Sequence, residues 1–272
     1  MNKTIIAPTN FTDVSLHAVN YAADMAVNTD ADLILLHIIQ MPTYLDVPVT
    51  QYEYDSILED AEQELNTLKK QLLIRTEDAI NISTRAVFST MALEIAEIEK
   101  ETHPFIIVIG PERENAAGRL LFGSHTFQTA KHLPYPVVVV PEKAIYKHIR
   151  RIGLATDLKD LNEIPLETLR SMVELFDAGL DIIHVCKNAD EKFSCEKDVE
   201  AIKNRLKEFE PCFHFELNEN IEKGVNAYAS RNKEDLIIVL PKKRGFLSGL
   251  FHKSKSVKIA RNPAVPIVSI AE

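Results

Sequence analysis

The sequence has little cysteine and no long apolar run, and each absence excludes a class of protein. The three cysteines, Cys186, Cys195 and Cys212, form no CxxC pair, which argues against a disulfide framework, a zinc site or a redox motif. We expect them to be reduced packing residues. No stretch approaches the roughly 18 unbroken apolar residues that cross a bilayer, and Pro8 interrupts the first segment before a secretory signal could form. The sequence therefore predicts a cytoplasmic protein.

Basic residues are fewer than acidic ones: 31 lysines and arginines stand against 40 aspartates and glutamates, a net charge of −9. Such a surface repels phosphate backbones and anionic lipids, which disfavours binding to nucleic acids or membranes. With 272 residues, 46% of them hydrophobic, the chain can build one large core or two ordinary ones. Composition therefore leaves the domain count to the pattern along the chain.

An internal repeat predicts two domains. It consists of three aligned pairs of segments: residues 3–13 with 150–160 and 36–38 with 183–185, both at an offset of 147, and 106–109 with 236–239 at an offset of 130. Such self-similarity is typical of a duplicated structural unit. We place the domains at residues 1–143 and 144–272, with the boundary in the segment that follows an apolar strand and precedes a new one.

Strand-like and helix-like patterns alternate within each half. In the first half, short apolar runs predict strands at residues 5–7, 33–39, 82–88, 105–109 and 137–140. Helical periodicity predicts helices that begin near Asp13, as the N-cap, and at residues 52–73, 93–100 and 124–132. The alternation implies parallel strands covered by helices. The predicted fold is α/β: two tandem, open, doubly wound domains, each with a mainly parallel five-stranded sheet flanked by helices.

The ends of the predicted strands carry the candidate site, because ligands of open α/β sheets bind beyond the carboxyl ends of the strands. The first strand ends in Pro8-Thr9-Asn10, and Gly110 follows the fourth. Further along the same loop, Gly123-Ser124 opens a predicted helix, where free N–H groups, a hydroxyl group and the positive end of the helix dipole suit a phosphate. The loop therefore favours an anionic ligand.

This loop resembles the G-x2-G-x9-G-[ST] loop of the nucleotide-binding universal stress proteins. The segment IIAPTNFTDVS, the LHI end of the second strand and the segment PYPVVVV add to the resemblance, which covers both halves. The family fold is a five-stranded parallel α/β sheet that often dimerises, and its ATP-binding members hold the nucleotide at these strand ends. Tandem copies on one chain look like a covalently joined dimer, which implies self-association through an intramolecular domain pair.

The resemblance implies a site for ATP or a related adenine nucleotide in the first domain. Its implied residues are Pro8, Thr9, Asn10, Ile38, Gly110, Arg113, Gly123, Ser124 and His125. The backbone of Ile38 would meet the adenine and Asn10 would lie near the adenine or ribose, while Gly110, Gly123, Ser124 and His125 would hold the phosphates.

Two of these residues depart from the family pattern. Arg113 stands at the second glycine position, where its guanidinium could pair with a phosphate instead. Asn10 replaces the usual acid, so the involvement of a divalent cation stays open.

The second half departs further from the phosphate-loop pattern. Leu240, Lys243 and Lys253 stand at its three glycine positions, and only Ser254 is retained. Side chains would fill the space that glycines leave for main-chain contact, so we expect a degenerate loop. Its many lysines form either an anion site made by side chains or a solvated face.

The sequence carries no motif for catalysis or for a metal. His37 and His184 each stand alone in a buried-strand pattern, which favours structural histidines, and the chain has no P-loop, Rossmann or G-x-S-x-G motif. We therefore expect a stress-response protein of the universal stress protein type that binds nucleotide in its first domain without efficient turnover, and not an enzyme. The alternative is a nucleotide-free protein-interaction or regulatory module in which both pockets are degenerate, with partners that the sequence does not name.

A pair of charge substitutions tests which half binds. Gly123→Asp should abolish ATP binding, because it places a carboxylate against the phosphates, whereas Lys253→Asp in the second half should change it little. Calorimetric titration with ATP measures both. Equal losses in the two variants would mean that the wrong half was chosen.

Overall fold

The computed structural model describes residues 3–39, 50–111, 134–158, 164–188, 196–240 and 265–270. Contacts within the chain divide it into two compact units, Met1–Tyr135 (unit 1) and Pro136–Glu272 (unit 2). This division lies eight residues before the boundary that the sequence repeat predicts. The strand at residues 137–139 is the element that the two divisions assign differently.

Unit 1 alternates strands and helices as the sequence predicts. Its described elements are β1 (Lys3–Pro8), α1 (Asp13–Thr29), β2 (Asp32–Ile39), α2 (Gln51–Arg75), β3 (Ile82–Phe88), α3 (Met91–Glu101) and β4 (His103–Ile109). The strands run parallel in the order β3-β2-β1-β4. Ile5, Ile6 and Ala7 of the central strand β1 are inaccessible to solvent, and helix α1 lies against β1, β2 and β4. The predicted helix at residues 124–132 falls outside the described residues.

Threonines cap the three helices that the structure describes in unit 1. Thr12, Thr50 and Thr90 each accept a hydrogen bond from a main-chain N–H of the first helical turn. At α2 the Glu53 side chain returns a bond to Thr50, and these bonds lower the pKa of Glu53. The prediction that Asp13 caps α1 is wrong by one residue, because Thr12 supplies the cap and Asp13 opens the helix as a first-turn acid.

Unit 2 repeats this plan. Its described elements are β5 (Val137–Val139), β6 (Arg151–Ala155), α4 (Leu166–Phe176), β7 (Gly179–Cys186), α5 (Glu196–Arg205), a 3-10 turn (Lys207–Phe209), β8 (Cys212–Leu217), α6 (Ile221–Asn232), β9 (Leu236–Val239) and β10 (Ile267–Ser269). The strand order is β5-β10-β9-β6-β7-β8, in which β10, β9, β6, β7 and β8 are parallel. Strand β5 pairs antiparallel with β10.

The order of strands within each unit confirms the α/β fold with a mainly parallel sheet. Counted along the chain, the first four strands of each repeat take the order third, second, first, fourth, which is that of a doubly wound sheet. The carboxyl ends of β2, β1 and β4 therefore lie side by side at one edge of unit 1, and the candidate site is built at that edge. Among the described residues, no helix is long and apolar enough to cross a membrane.

Candidate functional site

Three neighbouring strands of unit 1 bring together the predicted residues that the structure describes. Thr9 and Asn10 follow β1, Ile38 is the penultimate residue of β2, and Gly110 follows β4. Pro8 is the last residue of β1 and is paired in register with Leu36. The other four predicted residues, Arg113, Gly123, Ser124 and His125, lie outside the described part of the chain.

Thr9 is the centre of the turn that leaves β1. It is 6% exposed, its N–H donates to the carbonyl of Leu36 at 2.8 Å, and its carbonyl lies 2.8 Å from Nδ1 of His37. Its hydroxyl lies 3.1 Å from the Ser15 hydroxyl and accepts from the N–H of Phe11 at 3.1 Å. All of the polar groups of Thr9 thus make a hydrogen bond within the fold, so Thr9 shapes the site.

Phe11 gives the turn its sharp course and was missed in the sequence. Its φ of 61° is left-handed, a conformation that costs a non-glycine residue roughly 1–3 kcal/mol. The bond from its N–H to Thr9 holds it there, and its ring lies 4.7 Å from the His37 ring, centroid to centroid. A Thr-Asn pair before a helix was the only available signal, since nothing in the residue type Phe indicates positive φ.

The side-chain oxygen of Asn10 is hydrogen-bonded within the protein. Its Oδ1 accepts from the Thr12 hydroxyl at 2.7 Å and from the Thr12 N–H at 3.3 Å, as in an Asx-turn. These two donors identify that atom as the oxygen, so the partly exposed NH₂ group is the other end, and it makes no hydrogen bond within the described residues. Asn10 can therefore offer a ligand two donors, where an aspartate would offer only acceptors.

Ile38 lies just past the end of the β1–β2 ladder. The last register pair is Pro8 with Leu36, and the carbonyl of Leu36 accepts from Thr9. Because alternate residues of a strand direct their peptide groups to the same neighbour, the N–H and C=O of Ile38 point to the β1 side, as those of Leu36 do. The carbonyl of Thr9 and the N–H of Phe11, which could have continued the ladder, are bonded to His37 and to the Thr9 hydroxyl. The turn thus leaves one donor and one acceptor of the main chain past the end of the β1–β2 ladder.

Gly110 has a structural reason that the sequence did not reveal. A Cβ added there would lie 2.7 Å from Cγ1 of Val14 and 2.8 Å from the Val14 carbonyl oxygen. Only glycine therefore lets the end of β4 approach the first turn of α1 this closely. Val14 fills the space beside its Cα. The implied role of Gly110 in holding a phosphate stays a prediction.

The same turn recurs in unit 2, 147 residues later. The Thr156 N–H donates to the Ile183 carbonyl at 3.1 Å, His184 Nδ1 lies 2.9 Å from the Thr156 carbonyl, and the Leu158 N–H donates to the Thr156 hydroxyl at 3.2 Å. The φ of Leu158 is 65°, against 61° for Phe11. The backbone geometry is therefore common to both units, whereas the side chains differ: Leu158 replaces Phe11 and Asp157 replaces Asn10.

The two histidines have the anchoring role that the sequence favours. Each imidazole lies within hydrogen-bond distance of the carbonyl of the turn threonine, which lies 28 positions earlier in the sequence. In the described ranges, no group of three or more histidine, cysteine, aspartate or glutamate residues is placed to hold a metal ion.

Comparison with known proteins matches the first half of the chain to one protein family. Residues 1–141 match the model of the universal stress protein family. The chain is 29% identical over 140 residues to the universal stress protein MJ0531 of Methanocaldococcus jannaschii, which covers 51% of this chain and 81% of that protein.

Solved structures resemble the chain over nearly its whole length. A universal stress protein from Archaeoglobus fulgidus matches with a TM-score of 0.67 and 19% identity, covering 99% of this chain and 96% of that one. A putative universal stress protein from Pseudomonas aeruginosa matches with a TM-score of 0.54 and 14% identity, covering 99% and 93%. At these identities the likeness shows the fold.

A substitution at Gly110 tests the packing reason for this glycine. Gly110→Ala should destabilise the protein by about 1–3 kcal/mol, because the new methyl group must displace the backbone of α1 at Val14. Gly179→Ala is the matched control, since the nearest atom to its added Cβ is 3.8 Å away, and it should be neutral or slightly stabilising. Urea unfolding of both variants measures the difference. Equal stability of the two would show that Val14 does not constrain Gly110.

Proposed function

Because the chain belongs to the universal stress protein family, we propose that it is a stress-response protein whose first half binds ATP or a related adenine nucleotide without efficient turnover. The observation that carries the proposal is the pair of main-chain groups of Ile38, which lie beyond the β1–β2 ladder, at the same carboxyl edge of the sheet as the NH₂ group of Asn10. The rest of the described turn is fully occupied in holding these groups in place.

Adenine suits the donors and acceptors at this edge. Its exocyclic amino group is a donor and its ring nitrogens are acceptors, so a main-chain carbonyl beside a main-chain N–H complements one edge of the base. The NH₂ group of Asn10 adds donors for a ring nitrogen or a ribose hydroxyl. Recognition of the base would thus depend on main-chain geometry, which explains why the neighbouring side chains are committed to holding the turn.

The phosphates are assigned by sequence. We place them on Gly110, Gly123, Ser124 and His125, with Arg113 as a charged partner; of these residues, only Gly110 lies within the described part of the chain. Whether a divalent cation accompanies them stays open, because Asn10 carries no charge.

Binding without turnover is supported by the hydrogen bonds of the turn, in which the Thr9 hydroxyl is not paired with a base. A general base must reach the proton that it removes, and a nucleophile must be activated by such a base. The hydroxyl of Thr9 is bonded to Ser15 and Phe11, and the imidazole of His37 is bonded to the Thr9 carbonyl. The proposal therefore assigns the site to nucleotide binding, with the protein in the cytoplasm as its composition predicts.

The alternative is a nucleotide-free interaction or regulatory module, and one observation favours it. Val14 fills the space beside Gly110, so this glycine of the loop is explained without a ligand. Mass spectrometry of small molecules released from the natively purified protein, followed by calorimetry with ATP, separates the two. An adenine nucleotide detected by either method supports nucleotide binding. If neither method detects one, the alternative is supported.

The repeated turn offers a matched pair of variants. Thr9→Val keeps the shape of the side chain and removes the hydroxyl that holds Phe11, so the turn should loosen, with a loss of about 1–2 kcal/mol in stability and roughly tenfold in ATP affinity. Thr156→Val removes the corresponding bond to Leu158 and should lower stability similarly while leaving ATP affinity unchanged. Denaturation and ATP calorimetry measure the two effects. A comparable loss of affinity in both variants would contradict a site confined to the first half.

A further inference from the structure

Unit 2 contains charged residues grouped around two buried carboxylates, at the amino-terminal ends of its parallel strands. We call this group the buried charge cluster. We define it by five residues: Arg151 begins β6, Asp181 lies in β7, His214 in β8 and Tyr228 in α6, and Glu234 lies two positions before the start of β9. Ion pairs and aromatic contacts join elements that are far apart in sequence. No motif or regular spacing connects these residues, so the sequence did not indicate the cluster.

Arg151 binds Asp181 tightly. Its Nε and Nη2 donate to Oδ2 of Asp181 at 3.1 and 2.6 Å, and its Nη1 donates to the carbonyl of Asn232, the last residue of α6, at 3.1 Å. Nε2 of His214 lies 2.8 Å from the other carboxylate oxygen of Asp181. Asp181 is thus satisfied on both oxygens, and the guanidinium reaches the turn between α6 and β9.

Glu234 is in the opposite position. Its side chain is 0% exposed, and neither carboxylate oxygen has a hydrogen-bond partner within the described residues. The nearest cation is Nη2 of Arg151 at 3.2 Å, but that nitrogen already donates to Asp181 at 2.6 Å. The hydroxyl of Tyr228, itself only 2% exposed, also has no partner in the described structure. An ionised Glu234 would be a buried charge with half of one shared counter-ion, which is costly.

We propose that the buried charge cluster holds one proton on Glu234, shared with the carboxyl group of Asp181, and that release of this proton loosens the turn between α6 and β9, so that unit 2 responds to pH. With the proton in place, Glu234 is neutral and donates to Asp181, while Arg151 balances the remaining carboxylate. Without it, two buried carboxylates compete for one guanidinium. Nη2 of Arg151, already 3.2 Å from Glu234, is then drawn closer to that carboxylate, and the hydrogen bond from Nη1 to Asn232 is the contact that we expect to weaken.

The pKa values agree in direction with this geometry. Burial raises the pKa of Glu234 to about 7, and repulsion from Asp181 adds to that rise. Burial opposes ionisation of Asp181 too, but the hydrogen bonds from Arg151 and His214 outweigh it and lower the pKa of Asp181. Burial, with Asp181 and Glu234 nearby, raises the pKa of Tyr228, so its phenol stays neutral.

The sign of the effect follows from linkage. The pKa of Glu234 is raised in the folded state, so the folded protein binds more protons than the unfolded chain between about pH 4.5 and 7. The stability of unit 2 is therefore greatest in mild acid, falls as the pH rises to about 7 and then levels off. The lowered pKa of Asp181 acts in the opposite direction, but only below the ordinary range of a carboxyl group.

Other charged groups around Glu234 already have partners. Asp235 accepts from the main-chain N–H groups of Arg150 and Arg151, at 2.9 and 3.1 Å. Arg231, on α6 beside the Tyr228 ring, is paired with Glu216 of β8 at 2.6 Å. None of these is placed to neutralise Glu234, which leaves it with the Arg151 guanidinium that it shares with Asp181.

Unit 1 has no equivalent cluster. The sequence repeat aligns Arg151 with Thr4 and Asp181 with Ile34, at the offset of 147, and Glu234 with Pro104, at the offset of 130. None of these three residues of unit 1 ionises. The proposed pH response therefore belongs to unit 2 and is independent of nucleotide binding in unit 1.

The direct test is carboxyl-carbon NMR of the full-length protein labelled at glutamate and aspartate, titrated from about pH 4 to 9. The Glu234 carboxyl group should titrate with a midpoint near 7. A midpoint in the ordinary range of glutamate, about 4.5, would overturn the proposal. Titration of the His214 ring across the same interval in place of Glu234 would also overturn it, because the proton would then belong to the imidazole.

Unfolding measurements give the second readout. Between about pH 5 and 8 the folding equilibrium constant should fall by roughly 50-fold to 100-fold in the wild type, and Glu234→Gln should abolish that fall. Glu94→Gln is the matched control, since Glu94 is a buried carboxylate of unit 1 paired with Arg85, and it should keep the wild-type response. An unchanged response in Glu234→Gln, or a loss of it in Glu94→Gln, would contradict the proposal. Should Glu234→Gln fail to fold, Asp181→Asn removes the neighbouring charge and should lower the Glu234 midpoint; an unmoved midpoint would also refute the shared proton.

Discussion

The hydrogen bonds of Thr9 are the constraint on which the candidate site depends. A single residue after β1 ties the end of β2 to the start of α1 through its N–H, carbonyl and hydroxyl groups. Because the carbonyl is given to His37 and the hydroxyl to Phe11, the β1–β2 ladder stops after Leu36. The main-chain groups of Ile38 are left without strand partners for the same reason that the turn is rigid. The same hydrogen bonds of Thr9 therefore order the turn and leave the peptide groups of Ile38 without a partner in β1.

Much of the fold could be predicted because its signals are local. The apolar run at residues 82–88 coincides with β3, and the run at 33–39 differs from β2 by one residue. The site was harder to predict, because its hydrogen bonds join residues that are far apart in the sequence. His37 and Thr9, for example, are 28 positions apart. Gly110 illustrates the difficulty: a glycine before a loop indicates close approach, but only coordinates show that the approaching group is Val14. The positive φ of Phe11 could not be predicted from its residue type.

The two halves show how a duplicated frame separates structure from function. Thr156, Leu158 and His184 reproduce three hydrogen bonds of the unit 1 turn, so these bonds alone do not decide whether a ligand binds. What differs is the polar group at the tip, Asn10 against Asp157, and the glycines of the loop after the fourth strand. Unit 2 has also gained a set of ionisable residues beneath α6 that unit 1 replaces with Thr4, Ile34 and Pro104. The same backbone plan thus supports a nucleotide proposal in one half and a proton proposal in the other.

The central claim is that adenine is recognised by the peptide groups of Ile38 beside the Asn10 amide. The most direct measurement is an amide NMR titration of the full chain with ATP, in which the main-chain N–H of Ile38 and the side-chain NH₂ of Asn10 are followed together with the N–H of Val185, the residue that the repeat aligns with Ile38. The account predicts saturable shifts of the two unit 1 signals and none of Val185. Unmoved Ile38 and Asn10 signals at an ATP concentration that saturates binding, or equal movement of Val185, would contradict it.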